Sequence, residues 1–398
     1  MRSPARNPQD TLQLVTRTRW RGVSVALAAG VLSAACDVSQ EAVHCEVGIP
    51  GATGETLISR ALTGPCSIQV EPLGIVLGSD SVDPSLPVEH LASGRFVSGT
   101  FHQGRLAVWE PSGRLHGLLG RPGEGPGELR GLITVLYADG DSIHVVDATG
   151  RWTVFSTPDL QGVRQSSGRA GEALMNLKGT IFFPGGPVLV GIPPFHADGT
   201  LARFRLLDRE GAVLRSFGIA EPEEPSGTAS TRFDGAVLAK AGGGRFWAAT
   251  PSTYRVELWD TAGVRHRVVE RDVPWFRGAT VEEASTGRGS SGLPIQIVGL
   301  REDPKGRLWV TVAIPTGRRP GPEDIRVRLF SEPELFYRWK IEVLDPNVGA
   351  LLASADFARL EELPVFARSG IAYRYIESED LGGSRVEFVR VDLKSIDP

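Results

Sequence analysis

The sequence contains few of the residues on which most catalytic and metal sites depend. Its 398 residues include only three cysteines and seven histidines, and its asparagines are Asn7, Asn176 and Asn347. It has neither a Gly-x-Ser-x-Gly segment nor a His-Glu-x-x-His segment. These absences exclude a hydrolase with a nucleophile elbow and a zinc protease of the His-Glu-x-x-His type.

The chain also has no apolar run that is long enough to span a bilayer, which takes about 20 residues. The uncharged run Val23–Ala35 is shorter than that and follows Arg17, Arg19 and Arg21. A positive segment, a short apolar segment and small residues at the exit are typical of a secretory signal peptide. We therefore predict a cleaved signal peptide over residues 1–35.

The end of this segment, Leu32-Ser33-Ala34-Ala35-Cys36, resembles the lipobox of bacterial lipoproteins, in which the new N-terminal cysteine is acylated. Ser33 stands where lipoboxes usually have leucine. Ser33 and Ala35 also suit ordinary signal peptidase, so cleavage without a lipid is the alternative. An odd number of cysteines in an exported protein favours a lipid on Cys36. A disulfide between Cys45 and Cys66 would then contribute about 3 kcal/mol; the alternative is that both remain unpaired.

The overall charge makes nucleic acid a poor partner for this chain. The formal net charge is −4. Residues 1–35 carry five arginines and one aspartate, so the chain without them has a formal net charge of −8. A mildly acidic protein repels the phosphate backbone instead of releasing counterions from it.

The sequence is rich in one feature, a recurring pair of alternating strands separated by glycine turns. Each copy buries only one face well and needs neighbours on both sides, which a closed ring supplies. We predict an all-β fold, with a tether over residues 36–60 and a six-bladed β-propeller over residues 61–398; a β-sandwich or two stacked barrels is the alternative. The six copies are Gly94–Ser98 with Arg105–Leu115, Asp141–Asp147 with Arg151–Phe155, Pro187–Gly191 with Ala202–Arg215, Gly244–Ala249 with Tyr254–Arg265, Gly306–Thr311 with Tyr337–Asp345, and Gly370–Tyr375 with Arg385–Val391.

Several segments lie outside these copies. Residues 67–77 form an apolar strand that precedes the first copy, and we expect it to close the ring by completing the last blade. The segment 356–362 is expected to form a short helix. Irregular inserts occupy residues 219–232, 278–293 and 315–333, and inserts of this length are usually functional or disordered.

One junction between copies carries a family resemblance. The segment Leu119–Leu129, with the strands Ile143–Asp147 and Arg151–Phe155 after it, resembles the inter-blade signature of bacterial six-bladed propellers related to NHL-repeat proteins. That resemblance implies a propeller fold and often an exported lipoprotein, but no single activity.

The same junction has a physical interpretation. Gly123, Gly125 and Gly127 alternate with prolines, which predicts a tight turn with positive φ at its glycines. Valine at position 125 would then be strained by about 1–3 kcal/mol. A phosphate-binding loop is excluded because a strand, and no helix, follows.

We expect a protein- or ligand-binding scaffold, monomeric, attached to the membrane through its lipid, without a cofactor, a metal or catalytic residues, and with a protein or glycan as partner. The alternative is a propeller enzyme, lactonase-like or a lyase, with an axial metal. Its ligands would be Asn176 with Asp147 or Asp234. Three or more carboxylates, asparagines or histidines on the axis would favour the enzyme. Trp247 and Trp309 recur at one place in successive copies, which predicts packing between blades.

The signal segment gives the first testable prediction. The mature protein should begin at Cys36 and carry a lipid, and Cys36→Ser should move the protein from the membrane fraction to the soluble fraction. Mass spectrometry of the native protein checks this. An unmodified N-terminus at Cys36, or retention of residues 1–35, contradicts it.

Overall fold

The computed structural model describes most of the chain that follows the signal segment. Nearly all regular secondary structure among the described residues is β-strand, with short 3-10 turns. Among the described residues, no helix is long and apolar enough to cross a membrane. The chain divides into two units, residues 1–42 and residues 43–398. The described residues all belong to the second of these units and are 45–48, 56–79, 81–100, 104–130, 133–140, 142–147, 151–156, 162–166, 179–183, 187–191, 202–208, 211–219, 236–276, 293–318, 320–321, 332–367, 370–378 and 383–396.

The described strands are, in chain order, β1 Thr56–Ser59, β2 Cys66–Leu77, β3 Pro84–His90, β4 Phe96–Thr100, β5 Leu106–Trp109, β6 Leu115–Leu119, β7 Arg121–Pro122, β8 Glu128–Leu129, β9 Ile133–Asp139, β10 Ser142–Asp147, β11 Trp152–Ser156, β12 Gly162–Ser166, β13 Thr180–Phe182, β14 Val188–Gly191, β15 Ala202–Leu207, β16 Val213–Ile219, β17 Val237–Lys240, β18 Arg245–Ala249, β19 Arg255–Asp260, β20 Arg265–Arg271, β21 Gln296–Glu302, β22 Leu308–Pro315, β23 Tyr337–Asp345, β24 Ala350–Phe357, β25 Val365–Phe366, β26 Ala372–Ser378 and β27 Gly383–Ser395.

Most strands belong to antiparallel meanders, in which each strand pairs with the next one in the chain. Strands β3–β6, β9–β12 and β13–β16 form three separate four-stranded sheets. Strands β17–β20 form a further meander, and β1 adds to it as a fifth strand, parallel to β20. Strands β7 and β8 form a small parallel pair within the Leu119–Leu129 junction.

The last sheet has eight strands and consists of two halves. Strands β21–β24 form one meander, and β25, β26, β27 and β2 form the other. The halves meet through a single pairing of Cys66 with Ala353, whereas β2 runs antiparallel to β27 along most of its length. The expectation that residues 67–77 complete the last repeat is therefore confirmed.

Acidic residues and glycines build turns between consecutive strands of the meanders. The amide groups of Gly211, Gly263 and Gly306 donate to the carbonyl oxygens of the acidic residues three positions earlier. The carboxylates of those residues accept the next amide, as at Asp260 and Asp303. The three glycines have φ of 87°, 86° and 78°, a region that favours glycine. The glycine turns expected from the repeat are confirmed at these three positions.

Apolar side chains pack each sheet against the next one. The clusters join β3–β6 to β9–β12, β9–β12 to β13–β16, β13–β16 to β17–β20, β17–β20 to β21–β24, and the two halves of the eight-stranded sheet to each other. A further cluster, which includes Leu77, Phe388 and Trp109, packs β2, β26 and β27 against the β3–β6 sheet. The series therefore returns to its start, which is the arrangement of a β-propeller.

Two tryptophans confirm the expected packing between sheets. Trp247 lies in the cluster between β17–β20 and β21–β24, and Trp309 lies in the cluster between the two halves of the eight-stranded sheet. Their indole N–H groups donate to Glu302 Oε2 at 2.6 Å and to Asp303 Oδ2 at 3.0 Å. Buried indoles with a satisfied N–H favour a structural role over ligand stacking.

A fully buried ion pair joins β20 to β23. The side chains of Arg271 and Glu342 are 0 % and 1 % exposed, and Nε of Arg271 lies 2.9 Å from Oε2 of Glu342. The hydroxyl of Tyr254 donates to the same oxygen at 2.6 Å, and burial together with the Glu342 charge raises the pKa of Tyr254. Arg271 also donates to Ser59 Oγ and to the Ala61 carbonyl, so it holds the end of β1.

The N-terminal segment takes part in the fold in a way that the sequence did not indicate. Strand β1 lies within residues 36–60, the range assigned to a tether. Residues 45–48 also contact the turn between β23 and β24. The Gly48 amide donates to the Asp345 carboxylate, and the Gly48 carbonyl oxygen accepts from the Asn347 side chain.

The helix expected at residues 356–362 is absent from the structure. Asp356 and Phe357 end β24, and only Leu360–Glu362 form a 3-10 turn. Pairing of β24 with β23 outweighs the local helical preference.

Cys45 and Cys66 are joined by a disulfide with a Cα–Cα distance of 6.1 Å. Cys66 is the first residue of β2 and the residue that pairs with β24. The bond therefore fixes the start of the closing strand to the segment before it.

Removal of this bond should destabilise the fold without changing its topology. Cys45→Ser should lower the free energy of unfolding by about 3 kcal/mol, since the unfolded chain gains loop entropy. Denaturant titration measures the loss. A reductant should lower the unfolding midpoint of the parent protein but not that of Cys45→Ser. Equal midpoints of the two proteins without reductant would contradict the prediction.

Candidate functional site

A cavity of about 640 Å³ lies where the first strands of successive meanders converge, and we call it the axial cavity. Strands β9, β13, β17, β21 and β25 each contribute to its wall, and each lies at the edge of its sheet or sheet half. The described lining residues are Tyr137, Ala138, Thr180–Phe182, Leu238–Gly242, Leu300–Pro304, Gly306, Phe366, Ala367 and Gly370.

Both carboxylates in this lining are held by structural hydrogen bonds. Glu302 accepts the Gly242 amide at 3.1 Å and the Trp247 indole N–H at 2.6 Å. Asp303 accepts two backbone amides, the Trp309 indole N–H and Nε of Arg307. The oxygens of both carboxylates thus accept hydrogen bonds from the surrounding sheets.

Two basic side chains complete the charged lining. Lys240 ends β17 and is exposed, whereas Arg301 lies on β21 and is half-buried. The Arg301 guanidinium carbon lies 4.6 Å from the centre of the Phe366 ring, which is a cation–π contact. Burial lowers the pKa of Arg301, and the neighbouring Asp303 charge opposes that effect. Arginine nevertheless stays protonated in proteins.

A smaller cavity of about 320 Å³ opens between the β9–β12 and β13–β16 sheets. Its walls are aromatic: Tyr137 and Phe182 are stacked with ring centres 4.6 Å apart, and Trp152 meets Phe182 edge to face. The indole N–H of Trp152 is buried and has no hydrogen-bond partner among the residues that the structure describes, so it does not face the open part of this cavity.

The structure does not assemble the expected metal ligands from the residues that it describes. Asn176 and Asp234 lie outside the described residues. The Asp147 side chain is fully buried and accepts the amides of Arg130 and Arg151. Within the described ranges, no three histidine, cysteine, aspartate or glutamate side chains lie close enough to share a metal ion.

The glycines of the Leu119–Leu129 junction differ from one another in backbone conformation. Gly123 and Gly127 have φ of 151° and 75°. The expectation of positive φ at Gly125 is wrong, because Gly125 lies outside that region. Its amide instead donates to Glu128 Oε2 at 2.6 Å, and a Cβ added there would lie 3.2 Å from the same carboxylate. Contact with Glu128, and not backbone strain, restricts this position.

Two side chains hold this junction in place. The Glu128 carboxylate accepts the Gly125 amide and Nε of Arg121 at 2.7 Å, and these contacts lower the pKa of Glu128. The Arg151 guanidinium donates to the carbonyl oxygens of Gly123, Glu124 and Glu128. Arg151 directly precedes β11, and its Nε also donates to Asp147 at the end of β10. These hydrogen bonds fix the junction to the β9–β12 sheet. Cys36, the expected lipid site, lies outside the described residues.

The positive φ of Gly127 gives a testable prediction. Gly127→Ala should lower the free energy of unfolding by about 1 kcal/mol, since a Cβ is strained in that region. Gly117→Ala is the control, because Gly117 has no positive φ and its Cβ would meet nothing within 4 Å. Denaturant titration of both variants checks the difference, and equal midpoints would show that the Gly127 conformation is relaxed.

Comparison with known proteins identifies the fold but no family. No protein-family model matches the chain, and no curated protein sequence matches it significantly. A solved structure from Bacteroides fragilis NCTC 9343, described as a "putative exported protein", matches with a TM-score of 0.54 and 14 % identity, covering 85 % of this chain and 99 % of that one. A DUF4221 family member from Bacteroides vulgatus ATCC 8482 matches with a TM-score of 0.52 and 11 % identity, covering 84 % and 98 %. At such identities the likeness extends to the fold alone.

Proposed function

We propose that this chain is a six-bladed β-propeller, held outside the cytoplasm by a lipid on Cys36, that binds a ligand in its axial cavity. The observation that carries the proposal is the cavity itself, whose wall is built by five different meanders. Rigid strands hold such a site in one shape, which favours binding without reorganisation.

The arrangement of the sheets supports six blades. The β3–β6, β9–β12, β13–β16 and β17–β20 meanders and the two halves of the eight-stranded sheet each hold four strands, and each corresponds to one sequence repeat. The cyclic series of apolar clusters supports closure after the sixth unit. Strand β2 supplies the fourth strand of the last unit.

Two features support a location outside the cytoplasm. Residues 1–35 have the pattern of a signal peptide that ends at a cysteine. The disulfide between Cys45 and Cys66 is of the kind that persists in oxidising compartments. A lipid on Cys36 would place the propeller at the membrane surface, with the short segment before Cys45 as its connection.

The described lining of the axial cavity favours binding over catalysis. An axial metal or a general acid–base pair needs several carboxylates, asparagines or histidines with free oxygens or nitrogens. The two carboxylates described there, Glu302 and Asp303, are engaged with tryptophan and backbone donors. A protein or glycan partner stays a prediction, because the inserts on which it depends lie largely outside the described residues.

Native mass spectrometry of the protein purified from its own membranes tests ligand binding. The parent protein should retain a small molecule that Gly242→Leu loses. Gly242 lines the axial cavity without a positive φ, and a Cβ there meets only Glu302, at 3.6 Å. A leucine side chain at this position would therefore reach into the cavity and displace the ligand.

Gly117→Leu is the matched control, because it adds the same side chain on β6, where a Cβ meets nothing within 4 Å. It should retain the molecule at the parent level. Equal retention by Gly242→Leu and the parent, or no retained molecule in the parent, contradicts axial binding. Conversion of the retained molecule by the parent would replace the binding function with the enzymatic alternative.

A further inference from the structure

Arg301 differs from three other arginines that lie between the sheets. Arg203, Arg271 and Arg307 each contact a carboxylate, at 2.6, 2.9 and 2.5 Å, in pairs with Glu257, Glu342 and Asp303. Among the described residues, Arg301 has no hydrogen bond and no ion pair, and its guanidinium lies over the Phe366 ring. Its charge is therefore partly desolvated without an anion beside it.

An anion beside such a partly desolvated charge would stabilise it. Removing a charge from water costs free energy that a hydrogen-bonded partner normally offsets. Asp303, which directly follows β21, is the acidic residue whose charge acts on Arg301, but its carboxylate already accepts hydrogen bonds from Arg307 and the Trp309 indole. The Arg301 donors are thus available on the side that lines the axial cavity.

The charge balance of the lining favours an anion as well. Lys240 and Arg301 are the basic side chains described there, and Glu302 and Asp303 are the acidic ones. Asp303 is neutralised by Arg307, which leaves two positive charges against the single charge of Glu302. In a cavity with low-dielectric walls, that excess attracts an anion more strongly than it would in water.

The remaining walls indicate the body of the ligand. Phe182, Leu238, Leu300 and Phe366 line the cavity beside the charged groups. We propose that the axial cavity binds a small organic anion, whose carboxylate or phosphate contacts the guanidinium of Arg301 with Lys240 nearby, and whose apolar part packs against these side chains. This inference rests on the proposed function, because it assigns a ligand class to the same cavity.

Calorimetric titration of the full mature protein with a matched set of probes tests the ligand class. Phenylacetate and phenyl phosphate carry the anion, phenylacetamide is neutral, and 2-phenylethylammonium is a cation on a similar body. The two anions should bind, and the neutral and cationic probes should bind at least about tenfold more weakly. The ratio between phenylacetate and phenyl phosphate shows which head group the site prefers.

Variants assign the effect to Arg301. Arg301→Gln should weaken binding of the anions by about tenfold or more, and Arg301→Lys should give an intermediate loss, since it keeps the charge but not the planar donor pair. Lys240→Gln should give a smaller loss. Arg338→Gln is the control, because Arg338 is exposed on β23, does not line the cavity and loses the same charge. The thermal unfolding midpoint of each variant shows that it folds.

Three outcomes overturn the inference. Equal binding of all four probes would leave a binding cavity without selectivity for anions. Equal losses in Arg301→Gln and Arg338→Gln would reduce the effect to overall charge. Absence of binding by both anions would also overturn the ligand class, while the proposed function would still be decided by the molecule retained in native mass spectrometry.

Discussion

Closure of the ring is the constraint on which the rest of this structure depends. Each meander has two faces. The preceding meander buries one of them, and the following meander buries the other. The last half-sheet has three strands of its own, and its fourth strand, β2, comes from the other end of the chain. Leu77 of that strand packs in the cluster against the first meander. Without β2, strands β24 and β27 would each lose a pairing partner. The apolar face of the first meander that packs against Leu77 would be exposed as well.

Buried charges specify which sheets meet. Arg203 and Glu257 join the β13–β16 sheet to the β17–β20 sheet, and Arg271 with Glu342 joins the latter to β21–β24. Such pairs add little net stability, because desolvation offsets their attraction, yet an unpaired member would be strongly unfavourable. Any other order of sheets would leave these charges without partners. The apolar clusters supply the stability of the interfaces, and the ion pairs restrict their identity.

The repeat made most of the architecture predictable, because alternating strands separated by acidic residue and glycine turns occur in every copy. The closing strand and the packing of Trp247 and Trp309 followed from that pattern. Strand β1 did not, since four residues without a repeat partner pair only through tertiary contacts. The φ of Gly125 was missed because the Glu128 carboxylate, and not the glycine spacing, sets that turn. In the same way, Arg301 within an alternating strand resembles a solvent-facing residue, and the sequence gives no signal that its strand lines an axis.

The position of the axial cavity explains why its charges are not compensated locally. Strands β17 and β21 lie at the ends of their sheets, so part of their backbone N–H and C=O groups receives no ladder partner. The Glu302 carboxylate instead accepts the Gly242 amide of the turn that follows β17. The Asp303 carboxylate accepts the Arg307 amide of its own turn. Both carboxylates therefore form hydrogen bonds within and between the meanders, and neither pairs with the Arg301 guanidinium among the described residues.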